Sequence, residues 1–201
     1  MTESPTSRAR TSASTTPPPE AVLPERHPNA PAPGTEISSH YSLCFGCGED
    51  HGTGLQMRTF AGEGLSLRAE FTVTEHHQGA PGLAHGGLLA AAFDETLGAT
   101  NWLLAVPAVT GRLETDFRRP VPVGEVLHIF AEVIGVHRRK VYARAVGRLG
   151  SPDGSVAVTA AALFVQVPME HFIKNGRAQD VERAAADRAV RASVQALEMN
   201  P

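Results

Sequence analysis

Two stretches of this 201-residue chain carry residue types at spacings that could do chemistry. In the first, Leu83–Leu97 (LAHGGLLAAAFDETL), His85-Gly86-Gly87 opens an apolar, Ala-rich run that is interrupted only by Asp94-Glu95. A His-Gly-Gly turn feeding a helix leaves backbone N–H groups without partners at the helix start, where the dipole favours negative charge. Glycine there lets a bulky ester approach the backbone closely, so Gly86 and Gly87 could stabilise an oxyanion formed from a carbonyl. A carboxylate inside the same apolar run is costly unless it is satisfied or used, and Asp94 could serve as general base on a water or as a nucleophile. Glu95, about 100° further round the helix, is the competing carboxylate. The bland reading keeps Asp94 as a satisfied structural group and His85 as a residue that merely holds the turn.

Helix geometry limits how these groups can cooperate. Nine positions separate His85 from Asp94, which is half a turn out of phase and roughly 13 Å along the axis. One small reacting group cannot touch the Gly86 N–H and the Asp94 carboxylate of the same helix. If both act, one comes from a second copy, which predicts a two-fold homodimer with sites shared between chains.

The second stretch, His40 to His51, reads H-x3-C-x2-C-x3-H through Cys44 and Cys47. Four borderline-to-soft ligands in so short a span suggest a zinc knuckle. Equally, it is a Gly-rich turn holding two small thiols, and that reading, with no metal, is the one adopted.

The elements that position these residues follow from periodicity and breakers. Residues 1–36, rich in Ser, Thr, Pro and Ala, are expected to be disordered. A strand over Gly54–Phe60 and another over Leu65–Val73 form a hairpin, and His76–Gly82 is a loop. The helix runs from about 85 to 104 and is apolar on most sides, so it belongs in the body of the domain. Strands follow at Val109–Phe117, Glu125–Val136, Lys140–Gly150 and Ser155–Val167, the last pair joined by Ser151-Pro152-Asp153-Gly154. An α+β domain over 37–168 results, with about six antiparallel strands around one central helix. The extension at 169–201 carries one weakly amphipathic helix over Arg177–Leu197.

Bulk properties set outer limits. The chain is 42% hydrophobic and 19% charged with a formal net charge of −3, which points to neither nucleic acid nor an anionic membrane as partner. No apolar run approaches the roughly 20 residues of a membrane span, and no signal pattern opens the chain, so a cytoplasmic protein is expected.

In element order the chain resembles the hot-dog fold, closest to the PaaI-like acyl-CoA thioesterases and their mitochondrial thioesterase superfamily branch. The residues that carry the resemblance are CFGCG at 44–48, HQGAPGLAHGG at 77–87, DETLG at 94–98 and DFRRPVPVG at 116–124. The resemblance implies hydrolysis of acyl-CoA thioesters to acid and CoA without a cofactor. It assigns carbonyl polarisation to the Gly86 N–H within His85-Gly86-Gly87, and catalysis to Asp94. Thr110 in the next strand would hold the water or support Asp94. The two half-sites belong to different subunits of a homodimer or a dimer of dimers. Some members carry an Asn before the His-Gly-Gly; Gln78 stands in that loop here. Arg138, Arg139 and Lys140 are the first candidates for the CoA phosphates, and Arg118 and Arg119 the second. A non-catalytic acyl-CoA-binding or ligand-sensing module is the alternative.

Overall fold

A computed structural model describes residues 13–198. Its centre is a seven-stranded antiparallel sheet. In chain order the elements are β1 (Glu36–Ile37), β2 (Arg58–Ala61), β3 (Ser66–Thr72), β4 (Gln78–Ala80), β5 (Leu83–Ala84), α1 (Gly86–Ala99), β6 (Ala108–Phe117), β7 (Val126–His137), β8 (Lys140–Leu149), β9 (Val156–Gln166), α2 (Glu170–Asn175), α3 (Ala178–Ala186) and α4 (Arg188–Glu198). The sheet order is β1-β2-β3-β7-β8-β9-β6, while β4 and β5 form a separate small ribbon.

The central helix packs on the sheet as its sequence dictates. Leu89, Ala92, Phe93, Thr96 and Leu97 recur at helical spacing and are buried, forming the stripe that meets the sheet. Phe93 has no exposed surface, and a Cβ at Gly147 would come within 2.7 Å of its ring. The strand faces beneath alternate, with Leu67, Ala69 and Phe71 on β3 and Leu127, Ile129, Ala131 and Val133 on β7 turned into the core. The helix ends earlier than its apolar pattern, because residues 100–104 tighten into a 3-10 turn closed by Ala105 in the left-handed conformation.

Three expectations need correction. The sheet has a seventh strand, since β1 lies at the end of the stretch expected to be disordered. Of that stretch, residues 13–35 pack on the domain, whereas 1–12 lie outside the described residues. Backbone bonds run both ways between Val22 and Val136, Thr15 donates to Glu114, and Arg26 donates to the carbonyls of Gly62 and Gly64. An irregular segment can be held by such bonds without a core of its own. Finally, the tail forms α2, α3 and α4 rather than one helix. Asp187 breaks the run: it is extended, and its carboxylate accepts from the N–H groups of Ala189 and Val190, as a helix N-cap does.

Candidate active site

Asp94 and Glu95 lie beside the buried stripe of α1, each partly buried. Asp94 accepts a hydrogen bond from the Thr110 hydroxyl at 2.9 Å. Thr110 lies immediately before a register shift at Gly111 in β6; such a bulge bends a strand and re-aims its side chains. Burial pushes the Asp94 carboxyl above the ordinary carboxylate range, and the Thr110 bond draws it part of the way back. Both residues line a cavity of about 510 Å³. Trp102, Phe164, Met169, Phe172, Val190 and Val194 make its walls apolar, so the C-terminal helices close one side of it. A partly buried carboxylate with a raised pKa at the edge of an apolar cavity is a better proton acceptor than an exposed one.

The start of α1 lies apart from Asp94 and Thr110. His85 is extended and caps the helix, its Nδ1 accepting from the Gly87 N–H at 2.9 Å. His85 Nδ1 is therefore the accepting nitrogen of the ring. Since the Gly87 N–H is taken, the N–H left for a ligand is that of Gly86. Gly86 and His85 line a second pocket, of about 440 Å³, with Leu89, Phe117, Arg118 and Arg119. No residue lines both pockets. Within one chain Asp94 and Gly86 thus open onto different spaces, in keeping with their separation along the helix axis.

The remaining sequence-predicted residues are dispersed. Gln78 accepts from the Gly82 N–H at 2.7 Å and donates to the Glu75 carbonyl at 3.1 Å. Its side chain is used in holding its own loop and lines neither pocket. That loop is also more regular than expected, being a 3-10 turn over Glu75–His77 followed by the β4–β5 ribbon. Arg138, Arg139 and Lys140 form the exposed turn between β7 and β8, with Arg138 left-handed, and line neither pocket. Arg118 and Arg119, the second candidates, flank Gly86. Phe117, half-exposed at 52%, is the residue of that pocket that sequence reasoning missed; a large apolar side chain at a strand end is unremarkable until the helix start is placed beside it. The ligand-like turn is also rearranged. His40, Cys44 and Cys47 gather around Glu95, while His51 packs edge-on against Phe45 with ring centroids 5.4 Å apart.

Comparison with known proteins follows this geometry. Residues 81–153 match the profile of the thioesterase superfamily. The acyl-coenzyme A thioesterase THEM4 of Xenopus laevis is 35% identical over 91 residues, which cover 45% of this chain and 40% of that protein. The chain therefore matches less than half the length of that curated relative. A crystal structure of a thioesterase superfamily protein aligns over 68% of this chain and 69% of its own, at 27% identity and a TM-score of 0.56. The PaaI protein of E. coli, from the phenylacetic acid degradation operon, aligns over 59% of this chain and 85% of its own with 16% identity and a TM-score of 0.54; it shares the hot-dog fold. Among the described residues, no helix is long and apolar enough to cross a membrane.

Proposed function

We propose that the protein hydrolyses acyl-CoA thioesters to the free acid and CoA. The observation that carries this reading is the partly buried Asp94 carboxylate, bonded to Thr110 at the edge of an apolar cavity. Asp94 takes a proton from a water positioned with the help of Thr110, and the water oxygen bonds to the thioester carbon. The carbonyl oxygen gains negative charge, which the Gly86 N–H and the dipole of α1 stabilise. As the C–S bond breaks, the sulfur leaves with the electron pair and regains the proton from Asp94. No metal or cofactor enters these steps.

The two halves meet across a homodimer in this proposal. β6 is an edge strand, paired only with β9 among the described residues, and an unpaired edge is a template for a second copy. A two-fold axis through its middle sets Thr110 of one chain opposite the Thr115–Phe117 end of the other. Phe117 and Arg118 border the Gly86 pocket, so the pairing brings Gly86 of one copy towards Asp94 of the other. Arg118 and Arg119 are then better placed than Arg138, Arg139 and Lys140 to take the CoA phosphates.

The test is release of free thiol from a panel of acyl-CoAs by the wild-type protein and Asp94→Asn. Steady turnover by the first and its loss in the second is the expected result. Tight acyl-CoA binding without thiol release would replace hydrolysis with a binding module. Turnover that survives Asp94→Asn would remove Asp94 from the chemistry.

A further inference from the structure

His40, Cys44, Cys47 and Glu95 come together from two parts of the chain, a loop before β2 and the outer side of α1. The ligand atoms they offer all lie within 4.8 Å of one another. His40 Nδ1 is 3.3 Å from Cys47 Sγ, Cys44 Sγ is 3.6 Å from Glu95 Oε2, and His40 Nδ1 is 4.0 Å from Glu95 Oε1. Bond lengths of about 2.0 Å to nitrogen or oxygen and 2.3 Å to sulfur place the corners of a tetrahedral zinc site roughly 3.3–3.8 Å apart. The three spacings run from 3.3 to 4.0 Å, close to that range.

The loop is shaped around this cluster. A Cβ at Gly46 would fall 2.3 Å from Glu95 Oε2, so glycine lets the turn close over the carboxylate without displacing it. A Cβ at Gly48 would fall 2.4 Å from the Ser42 carbonyl oxygen and 2.5 Å from the Cys44 backbone. Backbone bonds from Cys44 to the Tyr41 carbonyl and from Gly48 to the Cys44 carbonyl hold both thiols on the inside of the turn. Among the described residues Glu95 also pairs with His40, whose imidazole is a common metal ligand.

We infer that His40, Cys44, Cys47 and Glu95 bind one zinc ion in a closed, four-ligand site that fastens the 40–47 loop to α1. Two soft thiolates with one imidazole and one carboxylate select zinc over magnesium or calcium. With four protein ligands the ion has no position left for substrate, so its role is structural. On binding, each protonated thiol gives up its proton to solvent, and no electrons are transferred. The site differs from the spacing-based alternative, in which His51 is the fourth ligand. His51 Nδ1 is buried without a partner while its ring packs on Phe45. Glu95 precedes no ligand in the sequence and reaches the cluster only because α1 presents it there. The ion would also fix the pocket wall beside Asp94, since His40, Tyr41 and Glu95 line that cavity. This inference does not depend on the proposed hydrolysis.

The experiment uses the full chain. Protein purified without added chelator is dialysed against metal-free buffer and its metal measured, with about one zinc per chain expected. Apoprotein prepared with a chelator is then titrated with cobalt(II). An intense thiolate-to-cobalt charge-transfer band with tetrahedral visible bands, and a Tm that rises with zinc, support the site. Glu95→Gln should weaken zinc binding by at least about tenfold, and the Cys44→Ser/Cys47→Ser double variant should abolish the charge-transfer band, while His51→Ala keeps one zinc. Apoprotein that takes up no zinc, or a cobalt spectrum without the charge-transfer band, overturns the proposal even if the variants fail to fold. A Cys44–Cys47 disulfide in the protein as isolated overturns it as well. Zinc retained by Glu95→Gln and lost by His51→Ala overturns the ligand set.

Discussion

Gly86→Pro isolates the proposed oxyanion donor more cleanly than any truncation. Gly86 is the first residue of α1, the helical position where proline is favoured because its N–H would have no partner within the helix. Proline also restricts the preceding residue to extended conformations, and His85 already has φ −72° and ψ 130°. Space is available, since a Cβ at Gly86 would lie 3.5 Å from the Phe117 ring, an ordinary contact. The His85–Gly87 bond that caps the helix is left in place. The substitution should therefore delete one N–H and leave the fold intact. Loss of a single oxyanion donor costs about 2.7–4 kcal/mol of transition-state stabilisation, a fall in kcat of about 10²–10³-fold.

The same variant tests whether the site is shared. In the proposed homodimer, Gly86→Pro and Asp94→Asn each spoil both sites of their own dimer. Subunits mixed in equal amounts and allowed to exchange make heterodimers as half of the dimers. Each heterodimer places both lesions in one site and leaves the other intact, so about one quarter of wild-type activity returns. The assay is thiol release after denaturation and joint refolding, with circular dichroism and Tm confirming that each variant folds. A Gly86→Pro enzyme within a few-fold of wild type would dismiss the Gly86 N–H as donor. Mixtures no more active than the separate variants would place Asp94 and Gly86 in the same chain's site, against the helix geometry.

Other consequences can be checked together. Thr110→Val removes the bond that draws the Asp94 pKa down while burial still raises it, so the acid limb of the kcat/KM profile should move to higher pH; an unmoved limb would mean that Asp94 is not the titrating base. Because the folded-state pKa of Asp94 is raised, its contribution to stability is present below the unfolded carboxylate value and is lost as pH rises through the raised one. Asp94→Asn should accordingly raise Tm at neutral pH; an equal gain at a pH below both values would refute the cause. Gly147→Ala drives a methyl into the Phe93 ring and should cost about 1–3 kcal/mol in denaturant unfolding. Gly46→Ala should displace the Glu95 carboxylate and lower zinc content in step with Glu95→Gln, and full zinc occupancy in that variant would separate the loop's shape from the metal.

What could be read in advance was whatever depends on local periodicity. The alternating strands of the sheet and the apolar run of α1 follow from side-chain periods of two and 3.6, and the separation of Gly86 from Asp94 along the axis follows from the helical rise. The Asp187 break was hidden because alanine and arginine on either side continue a helical pattern, and its capping role depends on which N–H groups its carboxylate meets. Residues 13–35 were misread for a related reason: their bonds go to Val136, Glu114 and Gly62, far along the chain. The fourth member of the Cys cluster illustrates the limit most sharply. Spacing favours His51, three residues past Gly48, yet Glu95 is the group that reaches the thiols. Consecutive helical residues diverge by about 100°, so Asp94 and Glu95 cannot serve one neighbour. Asp94 turns to Thr110 and Glu95 to the Cys turn. The paired carboxylates that look redundant in sequence therefore divide the work, one turned to the proposed chemistry and the other to the loop that walls it in.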